Sequence, residues 1–233
     1  MKSFSWIWVA FVALLVASGC GNGQAPANDP TPTMIVTAST DDGVLPMPNF
    51  NQGSRLFMVS DSGSVISIGD REDVFKSAFP RSPSDSRSLK GELPIGATGD
   101  HWEAIGWELD NASRGVGAVL YDGRIAVAMS QIDKVEEEDV TRESQKYEFK
   151  LGPPTKLEGN HVRYWFWPDD AGTLMVCAFK NDRNEINLTT ALGDSGVMDK
   201  LRMSYQTARE DMGSVERLYN PIGSSRQVSG STK

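Results

Sequence analysis

The chain has 233 residues, of which 39% are hydrophobic and 9% aromatic, a composition that supports a folded core and excludes wholesale disorder or a collagen-like repeat. The 31 acidic residues outnumber the 23 basic ones, and the formal net charge of −8 argues against a nucleic-acid-binding domain. Two cysteines and two histidines are too few for a disulfide framework or a histidine-rich metal site, so we expect no metal and no other cofactor.

The amino terminus has the pattern of a bacterial lipoprotein leader. An apolar run of about twelve residues, 6–17, follows Lys2 and is shorter than the roughly twenty residues of a membrane-spanning helix. It ends in Ala17-Ser18-Gly19-Cys20, which resembles the lipobox. The resemblance implies a signal peptide over residues 1–19 and acyl chains on Cys20. An ordinary secretory peptide that is cut nearby is the alternative.

Acylation of Cys20 would tether the chain to a membrane, because two or three acyl chains hold a protein there and a single chain does not. Position 21 is glycine and not the aspartate that resembles a signal for inner-membrane retention. We therefore expect a lipid-anchored protein of the bacterial cell envelope, at the outer membrane and facing the periplasm.

Composition divides the rest of the chain into a linker, a folded part and a tail. Residues 20–53 hold the lipidated cysteine and a flexible linker rich in proline, glycine and asparagine, and residues 219–233 read as a disordered tail. Residues 54–132 and 133–218 form two units, each with a helix followed by three strands.

In the first unit, strands over 56–60 and 65–68 form a hairpin and a helix covers 70–79. Strands over 102–109, 115–121 and 124–130 follow as a meander. Its second turn is Asp122-Gly123, a pair typical of type I′ turns, which need positive φ at both positions.

In the second unit, a helix over 136–149 begins with acidic residues, and strands over 161–167, 173–179 and 185–192 form the second meander. A last helix over 197–212 has Asp194 or Ser195 as its cap. Together these elements predict an α+β fold of tandem helix plus three-stranded antiparallel meander units, with the helices on one face of the sheet.

Several short sequences carry a family resemblance. Beside the lipobox they are Ile66-Ser67-Ile68-Gly69 before the first helix, and Leu151-Gly152-Pro153-Pro154-Thr155 leading to the aromatic run 164–167. In this order they resemble the SmpA/OmlA (BamE-like) outer-membrane lipoproteins. The fold of that family is related to that of the β-lactamase inhibitor protein, which has two such units in tandem. The resemblance implies a non-catalytic protein-binding module that serves as a scaffold, an assembly factor or an inhibitor.

The aromatic run Tyr164-Trp165-Phe166-Trp167 is the main candidate for a partner surface. Alternation along a strand places Val162, Tyr164 and Phe166 on one face and Arg163, Trp165 and Trp167 on the other. We expect Leu174, Val176 and Ala178 to join Tyr164 in the core. Arg163, Trp165, Trp167 and Met175 then form an open face that binds an unidentified envelope protein. The alternative is that both faces are covered and the tryptophans are core.

Two other functions stay open. Gly193-Asp194-Ser195-Gly196 matches the residues around the nucleophile of trypsin-like proteases, and a serine hydrolase could use Ser195 with His101 or His161. Exposed tryptophans would also suit a glycan-binding domain. Cys177, in an apolar strand with no nearby histidine, is expected to be a small core residue.

Overall fold

The computed structural model describes residues 45–80, 101–109, 113–181 and 183–219, with side chains to residue 215. The predicted signal peptide, Cys20, the linker up to residue 44 and the tail from residue 220 lie outside the described residues.

The described ranges contain four helices and nine strands. In order they are β1 (Met58–Val59), β2 (Val65–Ile66), α1 (Glu72–Ala78), β3 (Trp102–Leu109), β4 (Arg114–Tyr121), β5 (Arg124–Val135), α2 (Glu137–Leu151), β6 (Thr155–Glu158), β7 (Val162–Pro168), β8 (Gly172–Lys180), β9 (Ile186–Asp194), α3 (Ser195–Lys200) and α4 (Tyr205–Tyr219).

Seven strands form one antiparallel sheet in the order β3-β4-β5-β9-β8-β7-β6. The meander β3–β5 and the meander β6–β9 meet where β5 pairs with β9, from Val127 opposite Gly193 to Val135 opposite Ile186. β1 and β2 form a separate two-stranded hairpin. The two meanders therefore form a single layer, with β3 and β6 as its edge strands.

Apolar residues line both faces of this sheet, and each face has its own cover. On the first face, the hairpin, α1 and α2 supply Met58, Phe75 and Tyr147 to one core. On the second face, α3 supplies Val197 and Met198 to another core, and Leu45 belongs to it as well. A sheet with two apolar faces needs a layer on each side, because uncovered apolar surface would remain in water.

The predicted fold class is wrong. The body is one large antiparallel sheet with a small hairpin and few helices, and it is not built of tandem helix-plus-meander units. The second meander has four strands, since Thr155–Glu158 adds β6 after the Pro153-Pro154 pair. The helices also lie on both faces, whereas the prediction placed them on one.

Several local predictions are confirmed. Asp122 and Gly123 both have positive φ, 49° and 69°, as the tight turn between β4 and β5 requires. The Asp194 side chain accepts a hydrogen bond from the Val197 backbone N–H at 3.1 Å and so caps α3. α2 begins with the predicted acidic turn, and Glu136 and Asp139 form a reciprocal capping box.

The last predicted helix, 197–212, is broken into α3 and α4. Arg202 has a φ of 56°, and the Met203 backbone N–H bonds back to the carbonyl of Met198 at 2.8 Å, which closes the first helix. The break buries Met203 in the second core. Ser204 then starts the next helix, with its Oγ accepting from the Thr207 N–H at 3.3 Å.

Candidate functional site

The aromatic strand β7 is covered on both faces. Trp165 and Trp167 retain only 7% and 4% of their accessible surface. The Trp167 ring packs against Tyr147 of α2, with centroids 5.8 Å apart. Arg163 lies over the Trp165 ring at 5.8 Å and donates to Glu137 Oε2 at 2.6 Å, so it is part of the cover. The open face expected at these residues is not present.

Met175 lies on the other face from the tryptophans. It stands opposite Phe166 in the pairing of β7 with β8, and it is 1% exposed in the second core. Leu174 and Val176 stand opposite Trp167 and Trp165 instead. The alternation along each strand was predicted correctly, but the faces of β8 were assigned the wrong way round.

The faces of β8 depend on the length of the turn that joins it to β7. Asp169 takes the backbone N–H of Ala171 and Gly172 on its Oδ1, at 2.9 and 2.8 Å, and fixes a three-residue connection between the strands. Because side chains alternate with a period of two, one residue more or less in that turn would exchange every face assignment in β8. The sequence pattern does not show how many residues the turn contains, so it could not fix the faces of β8.

The residues of the serine-hydrolase alternative lie far apart. Ser195 follows β9 and His101 precedes β3, with β4 and β5 between them, which is about 14 Å at ordinary strand spacing. His161 precedes β7 at the opposite end of the sheet, about 30 Å along β9 from Ser195. His101 Nδ1 is 2.6 Å from Asp122 Oδ1. Neither histidine can act as a base for Ser195 in this arrangement.

Cys177 is confirmed as a buried strand residue. Its thiol is free and 1% exposed, next to Tyr164 in the second core. Burial raises the pKa of the Cys177 thiol to about 12, only partly offset by a hydrogen bond with Tyr164. A thiol that stays protonated at neutral pH is a poor nucleophile, so its role here is packing.

Sequence analysis missed a polar cavity on the first face, which we call the hairpin cavity. It has a volume of about 20 Å³ and lies between the β1–β2 hairpin, α2 and the central strands. Apolar side chains such as Met58 and Leu188 share its wall with charged and hydroxyl groups. The polar lining residues are Asp61, Arg114, Ser130, Glu143, Lys146 and Thr190.

Arg114 and Asp61 form an ion pair across the cavity mouth. Arg114 Nη2 donates to Asp61 Oδ1 at 2.8 Å, and Nη1 donates to Oδ2, so the carboxylate takes both ends of the guanidinium. The Arg114 side chain is 11% exposed, whereas that of Asp61 is 70% exposed. Burial lowers the pKa of Arg114 from its usual value, and nearby Glu143 opposes that change.

Glu143 organises the opposite wall. Its carboxylate accepts from Thr190 Oγ1 at 3.0 Å and lies 2.7 Å from Lys146 Nζ. Lys146 also donates to the backbone carbonyl of Val59 at 3.3 Å, which ties α2 to the hairpin. Burial, and then the charge of Glu143, raise the pKa of the Tyr147 hydroxyl well above its usual value.

Among the described residues, two buried polar atoms of side chains that line this cavity have no hydrogen-bond partner. They are Ser130 Oγ and Arg114 Nε, both shielded from solvent. Ser130 retains 9% of its accessible surface. A buried donor that stays unpaired costs about 1–3 kcal/mol, so two of them around one small cavity are unusual in a packed core.

A sequence signal for this cluster did exist. Arg114 is in phase with Val116, Ala118 and Leu120, which line the first core, so alternation along β4 points a charged side chain at that core. Helical spacing places Glu143 beside the buried face of α2. A charge in phase with apolar residues indicates a buried pair or a polar site.

A cluster of partly accessible aromatic residues lies elsewhere, in what we call the aromatic corner: His101, Trp102 and Tyr121. The Trp102 and Tyr121 rings meet edge to face at 4.9 Å, and His101 stacks on Tyr121 at 5.6 Å. Trp102 and Tyr121 are half-buried, and His101 is exposed. The corner lies at the β3 edge of the sheet, and Trp102 packs against the second core.

No protein-family model matches this chain, and no match was found among curated proteins or among solved structures. Within the described ranges, no helix is long and apolar enough to cross a membrane. Over the same part of the chain, no group of three or more histidine, cysteine, aspartate or glutamate side chains is placed to hold a metal ion.

Proposed function

We propose that this chain is a lipoprotein of the bacterial cell envelope, held on the membrane by acylated Cys20, and that its folded body binds another protein. The observation that carries the proposal is the sequence Ala17-Ser18-Gly19-Cys20 directly after an apolar run of about twelve residues. The resemblance to the SmpA/OmlA lipoproteins and Gly21 favour the outer membrane, facing the periplasm.

The state of the second cysteine supports this role for Cys20. Cys177 is fully enclosed between β7 and β9, in the middle of the sheet. A disulfide between the two residues would require the cover of the second core to move, because sulfur atoms must approach to bonding distance. Cys20 is therefore left for another chemistry, and acylation is the one that its sequence context favours.

The path of the chain into the body supports a tether on the second face. Leu45 is buried in the second core, and the Asn49 backbone N–H bonds to Asp194 Oδ2 at 3.0 Å. The chain thus joins the body beside the start of α3. Twenty-four residues, 21–44, separate Cys20 from this point.

We place the partner contact at the aromatic corner and not at the four residues first predicted, since Trp165, Trp167 and Met175 are buried. Trp102 and Tyr121 combine accessible apolar surface with polar ring atoms, and these residue types are enriched where protein interfaces carry most of their binding energy. A surface that only binds a protein requires no catalytic side chain at this corner.

Capture experiments with matched variants test this proposal. The full chain, tagged and extracted from envelope membranes in detergent, is expected to retain a partner protein that Trp102→Ala and Tyr121→Ala lose. Phe149→Ala is the matched control, because Phe149 is 91% exposed on α2, across the sheet from the corner. Melting curves confirm that each variant is folded.

Two outcomes would contradict the contact surface. One is recovery of the same partner by Trp102→Ala at the level of the unchanged chain. The other is equal loss with Phe149→Ala, which would show that the capture reports exposed aromatic residues in general. Release of Cys20→Ala from the membrane fraction, with Cys177→Ala still bound, is the expected result for the anchor.

A further inference from the structure

We propose that the hairpin cavity is a carboxylate-binding site, which Asp61 closes in this structure. In this proposal the carboxylate of a ligand replaces Asp61 on Arg114 and also reaches Ser130. The cavity lies on the first face of the sheet, whereas the aromatic corner packs with the second core. The site is therefore separate from the proposed partner contact and does not depend on the lipid anchor.

The guanidinium of Arg114 is already arranged for a carboxylate. Two of its nitrogens hold the two oxygens of Asp61 side by side, the geometry in which arginine recognises planar oxyanions. The Arg114 side chain is 11% exposed and already paired with a carboxylate, so little rotational freedom is lost when a ligand binds in the same way.

Asp61 leaves part of the site unsatisfied. Within the described part of the chain, Arg114 Nε and Ser130 Oγ have no hydrogen-bond acceptor, although both residues line the cavity. Its volume of about 20 Å³ admits one water-sized group, such as a carboxylate oxygen or methyl group that extends past the position of Asp61. A ligand that enters further than a turn aspartate can reach would satisfy donors that Asp61 does not.

The charges of the site favour exchange of one carboxylate for another. Arg114 and Lys146 are balanced by Asp61 and Glu143, and Glu143 is engaged by Lys146 and Thr190. If Asp61 leaves, the remaining groups carry one unpaired positive charge, on Arg114. A monocarboxylate restores neutrality, whereas an anion added while Asp61 remains would leave a buried negative charge, which is costly.

Asp61 is placed so that it can leave. It belongs to the turn of a hairpin whose strands have only two residues each, and an isolated two-stranded hairpin is marginal in stability. The turn is closed by bonds between Ser60 and Ser64 and between Ser60 and Gly63, both 2.9 Å, that do not involve the Asp61 side chain. Because 70% of that side chain is exposed, Asp61 already lies largely in water while it is paired with Arg114.

Acetate is the probe for this site, titrated into the full chain in detergent and compared with chloride at the same ionic strength. Asp61→Ala is expected to bind acetate saturably and to melt at a higher temperature in acetate than in chloride. The unchanged chain is expected to bind acetate at least about tenfold more weakly, since Asp61 occupies the site for most of the time. Asp73→Ala, which removes an exposed carboxylate from α1, is the matched control and should behave as the unchanged chain does.

Second variants in the Asp61→Ala background locate the binding. Arg114→Lys keeps the charge but loses the planar pair of donors, and it should abolish the acetate effect. Ser130→Ala should weaken acetate binding several-fold, and it keeps the test available if the arginine variant does not fold. If Ser130→Ala and a folded Arg114→Lys both bind acetate as tightly as Asp61→Ala alone does, the proposal is overturned.

Two further results would also overturn it. One is that acetate stabilises Asp61→Ala no more than chloride does. The other is that the unchanged chain shows no acetate-specific binding at any concentration, because Asp61 would then be a fixed structural partner. A capped peptide with one aspartate, titrated beside acetate, distinguishes the sources: tighter binding of the peptide indicates a protein side chain, and tighter binding of acetate a small free acid.

Discussion

The indole N–H of Trp167 donates to the backbone carbonyl of Gly152 at 2.8 Å, and this bond joins the aromatic strand β7 to the end of α2. The two sequence features that looked most distinctive, the Leu-Gly-Pro-Pro exit and the aromatic run, are thus partners of each other. Gly152 has a φ of 87°, so the chain turns there and presents its carbonyl to the ring. Trp167 is therefore buried in an internal contact and does not present its ring to a partner.

Replacing Trp167 should destabilise the body without changing partner capture. Trp167→Phe keeps most of the apolar surface but leaves the Gly152 carbonyl without its donor, a loss of about 1–3 kcal/mol in the free energy of unfolding. Trp167→Ala adds a cavity and should cost about 3–5 kcal/mol. Urea unfolding measures both values. Unchanged stability with lost partner capture would instead show an exposed binding residue.

Gly152 should not tolerate a side chain, for conformational reasons alone. Its φ of 87° and ψ of −174° belong to a region that is nearly restricted to glycine, while nothing lies within 4 Å of an added Cβ. Gly152→Ala should lower the free energy of unfolding by about 1–3 kcal/mol.

Gly213, inside α4, is the matched control, because an added Cβ there also meets nothing within 4 Å. Gly213→Ala should raise stability, by up to about 1 kcal/mol, since alanine favours helices over glycine. Equal effects of the two substitutions would contradict the backbone explanation.

Tyr147 and Tyr164 should resist ionisation while the protein is folded. Burial raises the pKa of both hydroxyls, with Glu143 adding to the effect at Tyr147 and Cys177 at Tyr164. Because the folded-state pKa is raised, the stabilisation is complete below about pH 10, the pKa of an unfolded tyrosine, and is lost as the pH rises beyond it. Phenolate absorbance followed together with circular dichroism should show these two residues titrating only with unfolding.

The paired variant Tyr147→Phe/Tyr164→Phe should lose the phenolate signal that accompanies unfolding. Titration of all five tyrosines of the chain before any loss of circular dichroism would contradict the burial of these hydroxyls.

The Cys177 thiol should be unreactive in the native protein. Burial raises its pKa to about 12, so at pH 8 almost none of it is the reactive thiolate, and reagent cannot reach it within the sheet. A disulfide-forming reagent should label this residue only after urea is added. Rapid labelling without denaturant would show that β8 opens readily on its own.

Local chemistry made much of the strand and cap pattern predictable. Asp122-Gly123 and the Asp194 cap depend on residues within a few positions of each other, and both predictions hold. The pairing of β5 with β9 joins Val127 to Gly193, which no local pattern specifies. The prediction of tandem helix-plus-meander units failed because no local pattern specifies which distant strands pair in one sheet.

The functional-site predictions were wrong for related reasons. The faces of β8 depended on the three-residue turn at Asp169. Trp167 packs against Tyr147 of α2 and Trp165 against Arg163, and no local pattern predicts that α2 lies there. The hairpin cavity joins Asp61, Arg114 and Glu143 from three separate elements, so only the fold brings them together. The one part of this site that the sequence could predict is that Arg114 alternates with core residues along β4 and so points to the first core.

The mass of the amino-terminal peptide tests the central claim most directly. The protein is isolated from envelope membranes, digested and analysed for the peptide that contains Cys20. The account predicts a peptide that begins at Cys20 and carries diacylglycerol on sulfur, with a further acyl chain on the new amine. An unmodified peptide, or one that begins at another residue, would contradict the lipid anchor and with it the proposed function.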